Sequence, residues 1–171
     1  MRVLEALQGA GVPVALVLSE AGRAVLRAET DLEPLAVEHL AGVTYRDDDI
    51  AAPIASGSRA TRGMVVVPCS ASTAAKIAVG LADTLLTRTA FVHLKERRPL
   101  VLVPRETPMP SVLLRHLAAL SEMGAVVLPV SPPYYLRPRS LADLTDYMAG
   151  KVLDHVGVPH QLYRGWREPE E

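Results

Sequence analysis

Four short runs of apolar residues divide the chain, and each run is almost continuous rather than alternating with polar residues. They lie at 12–18, 64–69, 99–104 and 125–130. A strand that is apolar on both faces is covered on both sides, which is typical of a parallel sheet flanked by helices. The pattern therefore predicts four buried strands in one mostly parallel sheet.

The segments between these runs carry apolar residues at helical spacing, and several begin or end at a residue that favours a helix terminus. Ser19, Ser70 and Ser140 stand where an N-cap is expected, and Gly124 stands just past a helix end. The predicted helices span 2–11, 19–29, 70–83, 85–98, 110–124 and 140–157. Alternating strands and helices predict the α/β class, as a Rossmann-like three-layer sandwich.

Length and composition fit a single unit of structure. The 171 residues are 49% hydrophobic, enough for one domain with a sizeable core. We expect this domain to span 1–171, with a frayed tail from about residue 167. Residues 41–63 follow neither periodicity, and we expect a loop with a short helix there.

Charge and cysteine content exclude several classes of function. The 18 Lys and Arg residues nearly balance 19 Asp and Glu residues, so no nucleic-acid or membrane-binding surface is indicated. A single Cys excludes an internal disulfide framework. No apolar run approaches the ~18 residues that span a bilayer. We expect a cytoplasmic protein.

Polar side chains follow each apolar run, at the point where the predicted strand ends. Ligands of open parallel sheets bind beyond these carboxyl ends. Hydroxyl groups at helix starts, together with an arginine, would suit a phosphorylated ligand. The residues after the four runs are Ser19; Cys69, Ser70, Ser72 and Thr73; Arg105, Glu106 and Thr107; and Ser131, Tyr134, Tyr135 and Arg137.

Several of these residues also have a simpler structural explanation. Ser19 and Ser70 can be ordinary N-caps, and a cysteine such as Cys69 at a strand end is most often a small buried apolar residue. Arg105, directly after a buried strand, needs an anion. It could pair with Glu106 or another local acid, but contact with a ligand is the favoured interpretation.

Metal and nucleotide motifs are missing from the sequence. The five histidines have no metal-ligand spacing with Cys or acidic residues. The chain contains neither a GxGxxG nor a P-loop motif. The segment 55–58, ASGS, is a flexible turn or a place where backbone N–H groups contact an anion.

Longer motifs run in order along nearly the whole chain, from about residue 14 to Trp166. They are LSEAGRAVLRAETD, IASGS, MVVVPCSAST, LLTR, LKERRPLVLVPRETP, GAVVLP and YYLRPRSLADL. Together they resemble the UbiX-type flavin prenyltransferases, formerly described as aromatic acid decarboxylase subunits. The resemblance implies an HFCD-like flavoprotein fold. It also implies a metal-independent enzyme that joins a dimethylallyl group, taken from dimethylallyl monophosphate, to N5 and C6 of reduced FMN.

The resemblance also assigns roles to individual residues. It implies FMN contacts from Ser19, Ser70, Ala71, Ser72, Thr73 and Arg105. It implies contacts to the prenyl phosphate from Ser56, Gly57, Lys95, Arg105, Tyr135 and Lys151. The implied catalytic groups are Glu106, which would assist proton transfer, Lys95, and Arg88, which would support the site. Cations there would stabilise the departing phosphate in place of a metal ion.

Two further expectations follow from the family. Its members form homo-oligomers, usually dodecamers with active sites between subunits, and the prenylated FMN passes to a UbiD-type decarboxylase. The family's first strand and its glycine loop have no counterpart in this sequence, so we expect the first family strand to be missing from the sheet.

Two alternatives remain open from the sequence. The chain could be a non-catalytic FMN-binding companion subunit, which the absent glycine loop would explain. It could also be an FMN-dependent cysteine decarboxylase, but those enzymes use an Asn-containing motif near the second strand, and this chain contains no Asn.

Overall fold

The computed structural model describes residues 1–165, in which strands and helices alternate. The strands are β1 (Ala15–Leu18), β2 (Val43–Arg46), β3 (Met64–Cys69), β4 (Leu100–Pro104) and β5 (Val126–Val127). The α-helices are α1 (Arg2–Gly9), α2 (Glu20–Glu29), α3 (Pro34–Glu38), α4 (Ala71–Ala78), α5 (Leu85–Lys95), α6 (Ser111–Glu122) and α7 (Leu141–His155). Short 3₁₀ helices cover Pro53–Ala55 and Tyr134–Leu136.

The core is built around β4, all five residues of which are buried. Leu100 and Leu102 point to one face, where they pack with buried residues of α4, α5 and α6. Val101 and Val103 point to the other face, where α7 and the apolar side of α1 cover them. This alternation confirms the three-layer sandwich, because a strand with two apolar faces needs helices on both sides.

The sheet is divided into two parts. β1 pairs in parallel with β2, and β3, β4 and β5 form a separate parallel sheet in that order. Within residues 1–165, no strand is hydrogen-bonded to both β1 and β3. The prediction of parallel strands is therefore confirmed, whereas the prediction that all of them join one sheet is wrong.

Most predicted elements are confirmed, with changes at their ends, but the prediction that all four strands are buried holds throughout only for β4. The strand predicted at 125–130 is reduced to Val126–Val127, and Pro129, which has no backbone N–H, lies just beyond it. Hydrogen bonding to β4 nevertheless continues, since the backbone N–H groups of Leu128 and Val130 donate to the carbonyls of Leu102 and Pro104.

Two elements were not predicted. Residues 41–63 contain the expected short helix but also β2, whose four residues are too few to show a period. Helix α3 begins with Pro34 in its first turn, a position that proline favours.

Within residues 1–165, no helix is both long and apolar enough to cross a membrane. The tail predicted from about residue 167 lies outside the described residues.

Candidate functional site

The carboxyl ends of β3 and β4 bring two of the predicted site segments side by side. Cys69 and Pro104 are paired in the parallel register. Ser70 and Arg105, the residues that directly follow β3 and β4, therefore lie beyond neighbouring strands at the same edge. The sequence-based expectation of a shared rim is met at this point, because the strands are parallel.

Hydroxyl groups are concentrated at the start of α4. The Ser70 side chain accepts a hydrogen bond from the Thr73 backbone N–H at 3.2 Å, so Ser70 is the N-cap. Its Oγ also lies 3.0 Å from the Ser72 Oγ and 2.9 Å from the Thr73 Oγ1. With the free N–H groups of the first helical turn, including that of Ala71, this end of α4 is suited to an anion.

Arg105 is held across the rim by an acidic residue of another element. Its guanidinium lies 3.3 Å from the Glu29 carboxylate at the end of α2, and both side chains are 59% exposed. Ser19 caps the other end of the same helix by accepting from the Gly22 N–H at 3.0 Å. The acid that pairs with Arg105 is thus Glu29 rather than Glu106, and exposed pairs of this kind are easily exchanged for another anion.

A second cluster forms where the segment after the 3₁₀ helix Pro53–Ala55 meets the end of α5. The backbone N–H of Arg59 donates to the Ser56 carbonyl, which closes a turn that we call the Ser56–Arg59 turn. Gly57 in this turn lies against the ends of two charged side chains. A Cβ there would collide with the Glu96 carboxylate and would lie 3.2 Å from the Lys95 Nζ.

The hydroxyl groups of the Ser56–Arg59 turn lie on the same loop as Gly57. The Oγ atoms of Ser56 and Ser58 are 2.8 Å apart, and the Ser58 N–H donates to the Ser56 Oγ. The Lys95 ammonium is 3.1 Å from Glu96. The structure therefore brings together three predicted substrate contacts, Ser56, Gly57 and Lys95, and adds Glu96 beside them.

Helix α5 is held in place at both ends. At its start, Asp47 accepts the backbone N–H of Leu85 with its carbonyl at 2.7 Å and that of Leu86 with its carboxylate at 2.9 Å. Near its end, the buried His93 lies 3.0 Å from the Pro99 carbonyl and 3.1 Å from the Thr61 Oγ1. These contacts fix the helix that carries Arg88 and Lys95.

A third cluster surrounds Lys151 on α7. Its ammonium is 3.1 Å from Asp154 and 3.4 Å from the Tyr163 hydroxyl. Tyr163 donates to Asp154 at 2.5 Å, and the His160 Nε2 lies 3.0 Å from the same carboxylate. The hydrogen bond to Asp154 raises the pKa of Lys151, which keeps the amine charged.

The acid at the centre of this cluster is held in its ionised form. Burial by itself would raise the pKa of Asp154, but hydrogen bonds from Tyr163, Lys151 and His160 lower it below its ordinary value. Tyr135, another predicted substrate contact, reaches the neighbourhood through a hydrogen bond with Tyr147, whose ring centroid is 4.7 Å from that of Tyr163. Lys151 and Tyr135 are thus brought into one neighbourhood.

Within residues 1–165, the remaining predicted catalytic residues have no contact with these clusters that would assign them a role. Arg88 and Glu106 are both exposed, Arg88 in the middle of α5 and Glu106 directly after Arg105. Cys69 is 2% exposed, and burial raises the pKa of its thiol to about 12, as expected of a small core residue. In the part of the chain that the structure describes, no cluster of His, Cys, Asp and Glu side chains could hold a metal ion.

Comparison with known proteins shows which family the chain belongs to. Residues 1–155 match the flavoprotein family. The flavin prenyltransferase UbiX of Methanothermobacter thermautotrophicus is 46% identical over 165 residues, which cover 96% of this chain and 86% of that protein. The chain belongs to the UbiX flavin prenyltransferase family. The resemblance inferred from the sequence motifs is therefore confirmed.

Solved structures of UbiX-type proteins share the fold along nearly the whole chain. A crystal structure of AnUbiX (PadA1) in complex with FMN and dimethylallyl pyrophosphate is 41% identical, with a TM-score of 0.95, and covers 99% of this chain and 90% of that one. A dodecameric FMN-dependent UbiX-like decarboxylase from Escherichia coli O157:H7 is 39% identical, with a TM-score of 0.94, and covers 98% of this chain and 91% of that one.

The sequence did not point to several residues that hold the three clusters in place. Arg98, Asp47, Asp154 and Tyr163 are not among the site residues predicted from the sequence. Apart from Lys151, which lies three residues before Asp154 on the same helix, their partners lie far away in sequence or across a turn, so the local pattern does not mark these contacts. The one available signal was the density of charge in KERR at 95–98, which exceeds what a helix end requires.

Proposed function

We propose that this chain is a flavin prenyltransferase that joins a dimethylallyl group, taken from dimethylallyl monophosphate, to N5 and C6 of reduced FMN. The observation that carries the proposal is the position of Lys95 against the Ser56–Arg59 turn. A cation, two serine hydroxyls and a side-chain-free backbone at Gly57 form a set of donors that suits a phosphate.

The chemistry explains why cations are needed at this place. Breaking the allylic C–O bond leaves the electron pair on the phosphate, so negative charge grows there in the transition state. Lys95 would stabilise that charge, and Lys151, held charged by Asp154, would do the same if a second subunit brings it to the same phosphate. Reduced FMN, when bound, supplies the electron-rich N5 and C6 atoms that receive the prenyl carbons.

The rim at β3 and β4 offers a second set of donors, which fits FMN. Ser70, Ser72 and Thr73 surround the free N–H groups of α4, and Arg105 lies at the adjacent strand end. Ser19 lies at the end of β1. In this proposal these residues orient the flavin, Glu106 moves a proton during closure of the new ring, and Arg88 supports the site.

Anaerobic incubation with reduced FMN and dimethylallyl monophosphate tests the activity. We expect mass spectrometry to show a flavin that has gained one C₅H₈ unit, with release of one inorganic phosphate per flavin. Dimethylallyl pyrophosphate in a parallel reaction tests which leaving group is used. Binding of FMN without product from either donor would overturn the proposal and favour the companion-subunit alternative.

We further propose that the chain assembles into a homo-oligomer, most simply a dodecamer. Support comes from the dodecameric relative and from apolar side chains left at the surface, including Val79 (69% exposed), Leu81 (49%) and Phe91 (44%). An assembly could also join the Lys95 and Lys151 clusters of different subunits. A monomer by light scattering at micromolar concentration would contradict this.

The product would serve a UbiD-type decarboxylase in the cytoplasm. A reaction mixture that contains the prenylated flavin should activate the apo form of such a decarboxylase, whereas a mixture without the prenyl donor should not. Activation by both mixtures would show that the decarboxylase does not depend on the product of this reaction.

A further inference from the structure

Arg98 makes the most specific contacts of the second cluster, yet no role has been assigned to it. Its Nη2 donates to the Gly57 carbonyl at 2.6 Å, and its Nη1 donates to the Arg59 carbonyl at 2.7 Å. One planar guanidinium thus bridges two carbonyls of the Ser56–Arg59 turn. A planar fork with fixed donor directions can do this, whereas a lysine ammonium offers no such geometry.

The position of Arg98 is itself fixed by the end of α5. Arg97 adopts a left-handed conformation with φ of 53°, which reverses the chain after the helix. The Arg98 backbone N–H then donates to the His93 carbonyl at 2.9 Å. The side chain therefore starts from a fixed point between the end of α5 and the buried strand β4.

The contacts of Arg98 determine which groups of the turn remain free. The carbonyls of Gly57 and Arg59 are occupied by the guanidinium, and the turn is closed by its own hydrogen bond from Arg59 to Ser56. Carbonyl oxygens repel phosphate, so a turn whose carbonyls face Arg98 is better suited to an anion. The Lys95 Nζ also lies next to Gly57, 3.2 Å from the position that a Cβ would occupy there.

We propose that Arg98 is a positioning residue that holds the Ser56–Arg59 turn in the shape that binds the prenyl phosphate beside Lys95. The proposal rests on the proposed function for the identity of the phosphate. It goes further in separating the charge of Arg98, which does not touch the ligand, from that of Lys95, which does.

Titration calorimetry of dimethylallyl monophosphate binding to the full chain, under conditions without turnover, tests this role. Arg98→Met should weaken binding by a factor of about 10 to 100, as for the loss of charge-assisted hydrogen bonds. Arg98→Lys keeps the charge but cannot bridge both carbonyls, so it should rescue only a small part of the affinity. FMN affinity should change by less than about twofold in both variants.

Amide hydrogen exchange at residues 57–59 gives a readout that does not depend on catalysis. We expect exchange to be about tenfold faster or more in Arg98→Met than in the natural chain. Arg97→Met is the matched control, because it removes the neighbouring exposed arginine without touching the turn. It should change neither the exchange nor the binding.

The outcomes separate this inference from the proposed function. Slow exchange at 57–59 in Arg98→Met, or unchanged binding of the prenyl phosphate in both Arg98 variants, would overturn the role of Arg98. If the natural chain binds the prenyl phosphate but forms no prenylated flavin, the proposed activity fails. The binding and exchange results would still decide the role of Arg98.

Discussion

At the scale of single residues, the charges of this protein divide into those that support structure and those left free to meet a ligand. Arg98 is fully used in holding a turn. Arg105 is only loosely held, because its contact with Glu29 is exposed. Solvent weakens such a pair, so it contributes little to stability and leaves Arg105 able to bind an anion.

Arg105→Ala should therefore separate binding from stability. FMN affinity should fall by a factor of about 10 to 100, since a hydrogen bond to a charged group contributes roughly 1.5–3 kcal/mol. The free energy of unfolding should change by less than about 1 kcal/mol. Fluorescence titration with FMN and urea unfolding measure the two quantities.

Glu29→Gln is the control for Arg105, because it removes the same ion pair but leaves the guanidinium in place. Its FMN affinity should match that of the natural chain. An equal loss in Glu29→Gln and Arg105→Ala would mean that the ion pair, rather than a direct contact of Arg105 with FMN, governs binding.

His93 should make stability depend on pH. It is 2% exposed, and burial lowers the pKa of its imidazole below the ordinary value of 6.5, although the hydrogen bond to Pro99 partly opposes this shift. Below about pH 6.5 the unfolded chain binds a proton that the folded chain resists. The free energy of unfolding should therefore fall as the pH drops through this value.

Urea unfolding between pH 5 and pH 8 measures the effect of His93. In His93→Gln the loss of stability on acidification should be smaller than in the natural chain, whatever the variant's stability at pH 8. The exposed His39 provides the control, and His39→Gln should keep the full pH dependence. The same acid slope in both variants would assign the effect to other groups.

At the scale of elements, the C-terminal segment closes onto α7 at a position that has no space for a side chain. A Cβ at Gly150 would lie 2.6 Å from the Tyr163 ring and 2.7 Å from the His160 ring. The close approach lets both rings reach Asp154, which in turn holds Lys151. A glycine inside a helix is normally unfavourable, so here packing outweighs helix propensity.

Gly150→Ala should destabilise the protein by about 1–3 kcal/mol, because crowding costs more than the roughly 1 kcal/mol that alanine contributes to a helix. Thermal or urea unfolding measures the change. In a Tyr163→Ala background the same substitution should cost less, since one of the two rings is gone. A gain in stability from Gly150→Ala in the natural chain would show that the segment does not pack as described.

At the scale of the whole molecule, the two sheets differ in how well they are buried. β4 is buried throughout, whereas no residue of β1 or β2 is fully buried. The buried clusters also contain no residue of these two strands. Local stability follows the amount of buried apolar contact, so the β1–β2 sheet should open more easily than the β3–β4–β5 sheet.

Hydrogen exchange followed by mass spectrometry should show this difference directly. Peptides that cover 13–18 and 43–46 should exchange at least about tenfold faster than a peptide that covers 100–104. Measurement at two protein concentrations controls for protection by assembly. Equal protection of both sheets at both concentrations would mean that β1 and β2 are covered by contacts other than those within this chain.

The sequence by itself determined the elements whose cause is local. Continuous apolar runs specified β3 and β4, and serine N-caps specified the starts of α2, α4 and α7, because strand propensity and capping act within a few residues. The long motif around Lys95 and Arg105 identified the family. Only the tertiary structure decided that Arg105 meets Glu29, that Arg98 holds the Ser56–Arg59 turn, and that Tyr163 reaches Asp154. Each of these contacts forms only when whole elements pack against one another. The division of the sheet likewise depends on which strand edges become hydrogen-bonded to a neighbouring strand.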